Sequence, residues 1–297
     1  MRQRGGRGAG VPAGPHEPVA FRRAASIFRA MPELAEVEFY RKQWNSGLGQ
    51  KIVAVHLHAA ARNFRGTDAG ALRELLRGAV LRASEARGKQ MLFCFSGGHW
   101  LGVHLGMTGQ LRTEPAGFAP AKHDHLLLAQ PGRALVFSDP RQFGRVRFHH
   151  GEAAPAWWTK LPPPVTSPEF TVEAMAAFLH RHQRLPMKAA LLLQDGFPGI
   201  GNWMADEILW RTGVHPRTPA GRLDRAACRR LWRVLRWVSR RALAIIGKDW
   251  SDPPKGWLLH ERWTKKGVCP LHKAKLARAT IGGRTTAWCA QCQKKAR

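Results

Sequence analysis

Acidic residues are scarce. Only 20 Asp and Glu stand against 48 Lys and Arg in 297 residues, leaving a formal net charge of +28. That deficit argues against a cationic partner and points to a polyanion, most often nucleic acid, held by an attraction that salt weakens. The charge is spread along the chain rather than gathered on one amphipathic helix, which favours nucleic acid over an anionic membrane surface. No uninterrupted apolar run reaches 18 residues, so no membrane-spanning helix is expected. No apolar segment follows the N-terminal arginines, which excludes a secretory signal. Cysteines number five, and Cys269, Cys289 and Cys292 crowd near His272 at the C-terminus, so there is no disulfide framework. Such usage indicates a reducing, intracellular compartment. Cys94 and Cys228 stand alone in apolar surroundings and read as small core residues. There is no internal repeat.

The first thirty residues differ from the rest. They are rich in Gly, Pro and Ala and carry six Arg and one Glu, a net +5, so +23 remains on Met31–Arg297. Residues 1–31 therefore read as a disordered extension, or as a mis-assigned start with translation beginning at Met31. From Pro32 to about His150, a helical pattern over Pro32–Trp44 is followed by short alternating runs punctuated by Gly and Pro. These runs are Lys51–His58, Val80–Ala86, Gln90–Phe95, Trp100–Leu105, His125–Ala129, Ala134–Phe137 and Val146–Phe148. So many short strands imply a sandwich or barrel. Pro162–Pro164 marks a linker, because fixed φ angles continue neither strand nor helix. Beyond it the periodicity changes to 3.6, with helices over Thr171–His182, Met187–Gln194, Asn202–Arg211 and Arg225–Ile246, then an irregular stretch over 248–268.

Cys269 and His272 are separated by two residues, as are Cys289 and Cys292, with sixteen residues between the pairs. Two such pairs on two turns close four ligands around one tetrahedral zinc ion. All four ligands come from protein, leaving no open position for water, so the ion would be structural. Lys273, Lys275, Arg278 and Arg284 then fall on a small hairpin suited to contacting DNA, or are ordinary solvated charges.

Four ordered segments carry a resemblance. They are Met31-Pro32-Glu33-Leu34-Ala35-Glu36; Arg87-Gly88-Lys89 with His104-Leu105-Gly106-Met107-Thr108-Gly109; Asp139-Pro140-Arg141-Gln142-Phe143-Gly144; and Gly199-Ile200-Gly201-Asn202 with Ala205-Asp206-Glu207 and the cysteine cluster. In order and spacing the chain resembles the formamidopyrimidine-DNA glycosylase / endonuclease VIII family over nearly all of residues 31–297. The resemblance implies a multidomain α+β fold: an N-terminal β-sandwich with a flanking helix, then a helix–two-turn–helix domain ending in a zinc-finger β-hairpin. The boundaries expected are 32–150 for the catalytic sandwich, 151–170 for the linker, 171–255 for the helix–two-turn–helix domain and 256–297 for the zinc-finger hairpin.

The implied activity is that of a bifunctional glycosylase and abasic-site lyase of base excision repair, acting on damaged double-stranded DNA as a monomer. In a bacterium it would work in the cytoplasm, at the nucleoid. A terminal proline has a secondary amine, partly deprotonated near neutrality given a reference pKa of about 7.7–8.0. By the resemblance, Pro32 would attack C1′, expel the base through a Schiff base and cut the strand by elimination. An internal proline nitrogen is an amide and is inert. Met31 must then be the true start, trimmed in the mature protein, or the extension must be cleaved, or the protein only binds damage. On local sequence alone, Pro32 is an ordinary first-turn helix proline.

Glu33 is the implied general acid and Lys89 the implied reach to the phosphate and sugar, with Glu36 a further nearby carboxylate. Met107, Arg141 and Phe143 would fill the space left by the extruded nucleotide. Lys188, Asn202 and Arg284 would contact phosphates, and His104 and His123 belong with the DNA contacts. Asn202 also reads as a helix cap behind a Gly-x-Gly turn offering N–H groups to an anion.

The chain departs from the family pattern at Ala35, at His272, at Trp203-Met204 and in the short segment between Ile246 and Cys269. That segment is short beside the family's long loop over a flipped purine, so 8-oxoguanine specificity does not carry over. Oxidised pyrimidines, ring-opened purines and abasic sites all stay open: the Glu33-Leu34-Ala35-Glu36 start leans one way and the short loop the other. A zinc-ribbon binder with no repair role is a further alternative.

Overall fold

The computed structural model describes residues 31–294. The expectation for the extension preceding Met31 lies outside the described residues. In chain order the elements are α1 (Leu34–Gln43), β1 (Ala54–Leu57), α2 (Ala69–Leu76), β2 (Leu81–Arg87), β3 (Gln90–Phe95), β4 (His99–His104), β5 (Gln110–Pro115), β6 (Asp124–Gln130), β7 (Arg133–Ser138) and β8 (Arg145–His150). Then follow α3 (Ala156–Thr159), α4 (Val172–Arg181), α5 (Met187–Leu191), α6 (Asn202–Thr212), α7 (Arg225–Asp249), α8 (Leu258–Glu261), β9 (Ala277–Ile281) and β10 (Arg284–Trp288).

The first eight strands form two antiparallel four-stranded sheets, ordered β1-β6-β7-β5 and β2-β3-β4-β8. Inward residues Phe93, Phe95, Leu101, Leu128 and Phe137 close the sandwich core. Two elements of the sandwich domain escape the sequence reading, as do the short helices α3 and α8 further on. Strand β5 carries Arg112 and Glu114 among few apolar residues, yet it pairs with β7 and buries Leu111. Helix α2 is short and contains Gly70, but Asp68 caps it and Leu72 and Leu76 bury fully.

A second core joins α4 to α7 through Met175, Phe197, Ile200, Trp203, Leu231 and Leu235. Helix α1 serves both cores. Its Leu34 and Ala35 enter the helical core, while Val37, Tyr40 and Trp44 enter the sandwich. The expected linker is packed rather than loose: it holds α3, and Trp158 is buried beneath the Arg87 guanidinium at 5.0 Å. Among the described residues, no helix is long and apolar enough to cross a membrane.

Candidate active site

Pro32 opens the approach to α1 and lines a groove of about 460 Å³ with Glu36, Tyr40, Met107 and Trp250. Glu33 follows it and is almost completely buried. Its carboxylate accepts from the backbone N–H groups of Gly201 (2.9 Å), Trp203 (2.8 Å) and Met204 (3.1 Å), at the start of α6. Leu34 N–H donates to Gly199 O at 3.1 Å, tightening the same junction. A Cβ on Gly201 would come within 2.3 Å of the Glu33 carboxyl carbon, so only glycine permits this approach.

This geometry corrects one expectation. The Gly-x-Gly turn does present N–H groups to an anion, but the anion is Glu33 of the same chain. Gly201, not Asn202, is the N-cap residue of α6, and a glycine has no side chain with which to cap it. Asn202 occupies the first helical position and its Oδ1 is buried without a hydrogen-bond partner.

Burial pushes the Glu33 pKa upward, opposed by the Lys89 charge and the N–H groups of α6. Glu36 accepts from Glu33 N at 3.2 Å and from Trp203 Nε1 at 2.9 Å. Burial first, and the Glu33 charge second, raise its pKa to about 8. A carboxyl whose folded pKa exceeds its unfolded value binds its proton more tightly in the folded state. The stability this contributes is full below the ordinary value of 4.5 and is lost as pH rises towards about 8. Unfolding midpoints are therefore expected to fall between pH 5 and pH 8, and Glu36→Gln to flatten that fall. An unchanged slope in a urea titration at the two pH values would remove this assignment.

Lys89 stands in the β2–β3 turn behind Gly88, whose φ is +59°. Burial lowers its pKa, while Glu33 and Glu36 oppose the shift and Arg284 adds to it. A cation from the sandwich, the carboxylates of Glu33 at the N-cap of α1 and of Glu36 in its first turn, and a cation from the C-terminal hairpin thus share one electrostatic field. His104 accepts from Gly106 N at 3.1 Å through Nδ1. Burial first, then Lys89 and Arg147, hold its pKa near 4. It is neutral at pH 7, with its proton on Nε2 as a donor.

Met107, Arg141 and Phe143 lie on two loops that Asp139 pins together. Its buried carboxylate accepts from Thr108 Oγ1 (2.7 Å), Asn63 Nδ2 (2.9 Å) and Gly144 N (2.7 Å). A Cβ on Gly106 would meet Phe143 C and Gly144 N at 2.4 Å, so the loops touch backbone to backbone. The Arg141 guanidinium lies 4.7 Å from the Phe143 ring centre, and Phe143 is 43% exposed. His123 sits nearby, and its carbonyl accepts from Asp139 N.

Lys188 corrects a second expectation. Its ammonium is fully buried, bonded to Asp206 Oδ1 and Asn202 O, both at 2.6 Å. It is a structural ion-pair partner and is not placed to meet a phosphate. Asp206 also accepts from Arg262 Nη2 at 2.7 Å and from Ala287 N of β10 at 3.1 Å, tying the hairpin to α6. Asp206 and Arg262 had no legible role in the sequence, since a charge inside a helical pattern reads as a solvated face and Arg262 falls in a stretch with no regular pattern. Arg278 turns inward as well, donating to the carbonyls of Glu261, Arg262 and Thr264. Arg284 stays exposed at the start of β10.

The ligand atoms of Cys269, His272, Cys289 and Cys292 lie within 4.8 Å of one another. Cys269 Sγ is 3.6 Å from Cys292 Sγ and 3.8 Å from His272 Nδ1. Thiolates about 2.3 Å from a central tetrahedral ion stand roughly 3.8 Å apart. Three sulfurs and one imidazole at this spacing fit a closed metal-binding site.

These features define a two-domain protein in which a β-sandwich meets a helical domain, with a hairpin whose four clustered ligands could hold a metal ion, around Pro32 and the Glu33 carboxylate. The model of the formamidopyrimidine-DNA glycosylase N-terminal domain matches residues 31–146, and that of the formamidopyrimidine-DNA glycosylase H2TH domain matches residues 161–252. A formamidopyrimidine-DNA glycosylase of Bordetella petrii is 35% identical, aligned over 89% of this chain and all of its own length. One from Thermus thermophilus is also 35% identical, with 89% of this chain and 98% of its own covered. Among solved structures, the Lactococcus lactis enzyme bound to a DNA containing an oxidised pyrimidine is 25% identical, with a TM-score of 0.81 over 89% of this chain and all of that one. The chain belongs to the formamidopyrimidine-DNA glycosylase family.

Proposed function

We propose that this protein is a bifunctional DNA glycosylase and abasic-site lyase of base excision repair, with Pro32 as its amine nucleophile once that residue is terminal. The observation that carries the reading is the groove in which Pro32 stands beside Glu36 and Met107. The family match begins at Met31, the residue before Pro32. Glycosylase relatives share the whole length of this alignment, and the Lactococcus lactis enzyme has been solved on lesion-containing and abasic DNA.

In this reading the Pro32 amine adds to C1′, the base departs, and the resulting iminium acidifies the C2′ proton for elimination. Glu33 supplies a proton to the opening sugar, and Lys89 holds the adjacent phosphate. His104 donates through Nε2, and Arg284, Asn202 and His123 complete the contacts. Met107, Arg141 and Phe143 enter the duplex together, because Asp139 holds their loops as one unit. The protein acts as a monomer, in a bacterial cytoplasm at the nucleoid. Borohydride trapping on abasic duplex, with protein beginning at Pro32, tests the nucleophile.

The four-residue cluster binds zinc, which supplies folding energy to the hairpin rather than chemistry. Cys289→Ala is expected to release about one equivalent of zinc, and duplex affinity is expected to fall roughly tenfold as Arg284 loses its support. Metal analysis that finds full zinc in the variant would defeat the ligand assignment.

A further inference from the structure

Helix α7 runs three residues beyond Ile246, to Asp249, and stops at Trp250. Trp250 has φ +65°, a left-handed conformation that is costly for a bulky residue and persists only where the surroundings hold it. Its ring lies 4.7 Å from Phe39 and 5.1 Å from Tyr40, centre to centre, so α1 backs the indole with two aromatic side chains. It packs against both hydrophobic cores, which fixes it where the two domains meet. The same residue lines the groove that contains Pro32 and Met107.

A nucleotide whose sugar carbon reaches Pro32 must place its base in that groove, stripped of its neighbours in the helix. An aromatic surface returns part of the lost stacking. We propose that Trp250 is the platform on which the extruded base stacks, and that the preferred substrates are damaged bases whose ring remains planar and conjugated. This rests on the reading of the groove as the glycosylase site. A saturated, puckered ring cannot lie flat on an indole and gains little from it.

The test compares kcat/KM on duplexes bearing 5-hydroxycytosine, which is planar, and 5,6-dihydrothymine, which is puckered, using protein that begins at Pro32. The wild type favours the planar lesion. Trp250→Ala and Trp250→Leu lower the planar-to-puckered ratio about tenfold or more, as expected for losing one base–aromatic stack. Trp250→Phe keeps most of it. Leucine fills the core side of the position without a π face, so a ratio lost with Leu and kept with Phe reports stacking rather than folding. An unchanged ratio in both Ala and Leu variants overturns the platform assignment alone. A wild type that fails to incise an abasic duplex overturns the site reading and the platform with it.

Discussion

Protein that begins at Pro32 becomes covalently joined to an abasic duplex under borohydride, and the chain that retains Met31 before Pro32 does not. The contrast is expected to be on the order of 10⁶-fold in incision rate, the scale seen when a covalent nucleophile is removed from an otherwise intact site. The reason is electronic. In the longer chain the Pro32 nitrogen shares its lone pair with the Met31 carbonyl and cannot add to a carbon centre. Every other part of the site is unaffected, since Glu33, Glu36 and Lys89 keep their partners. Binding of intact duplex is therefore expected to survive in both forms, and only chemistry to differ. Mass spectrometry of each preparation must accompany the assay, because trimming during expression would erase the difference. Equal trapping by a preparation shown to retain Met31 would exclude Pro32 as the nucleophile. It would direct attention to Lys89, the amine whose pKa burial lowers in the same field.

Much of this arrangement was legible in the sequence, and the physics explains which parts. Alternation of apolar residues exposed most of the sandwich strands, and the change to a 3.6 period exposed α4 to α7. Strand β5 stayed hidden because its partners bury mainly Leu111 and leave its charges at the edge of solvent. The metal cluster was legible because ligand spacing is a local property. The buried environments of Glu33, Asp206 and Lys188 were not, because they are made by residues far away in the chain. The Glu33 carboxylate meets Trp203 N, 170 positions on. A sequence shows that a lysine and an aspartate exist, and helical spacing sends both outward by default. Only tertiary packing shows that Lys188 and Asp206 satisfy each other inside the protein, where an unpaired charge would be untenable. The same blindness applies to Gly201. A Gly-x-Gly turn before a helix signals a bound anion, and the anion here is an internal side chain.

That internal anion sets the outcome of Glu33→Gln, which is expected to remove both base excision and part of the stability. Excision should fall by about 10²–10⁴-fold, the usual contribution of a positioned acid. A role limited to proton donation would leave the folded state intact, since glutamine is nearly isosteric. The structure argues otherwise. The carboxylate accepts three N–H groups at the positive end of α6, two on Oε2 and one on Oε1. Glutamine retains one acceptor oxygen and turns an NH₂ group towards donors it cannot satisfy. Each buried donor left unpaired costs about 1–3 kcal/mol, so a loss of roughly 2–4 kcal/mol in urea unfolding is expected. Because α1 serves both cores while α6 lies in the helical one, the loss should appear as loosened coupling between the helical core and the sandwich, with faster hydrogen exchange at Gly201, Trp203 and Met204. Glu33→Asp separates the two roles. Its shorter side chain keeps the charge and the acceptors but withdraws them from the sugar, so it should hold most of the stability while excision remains low. A Glu33→Gln protein as stable as wild type would show that α6 does not depend on this cap, and the chemical role would have to stand alone.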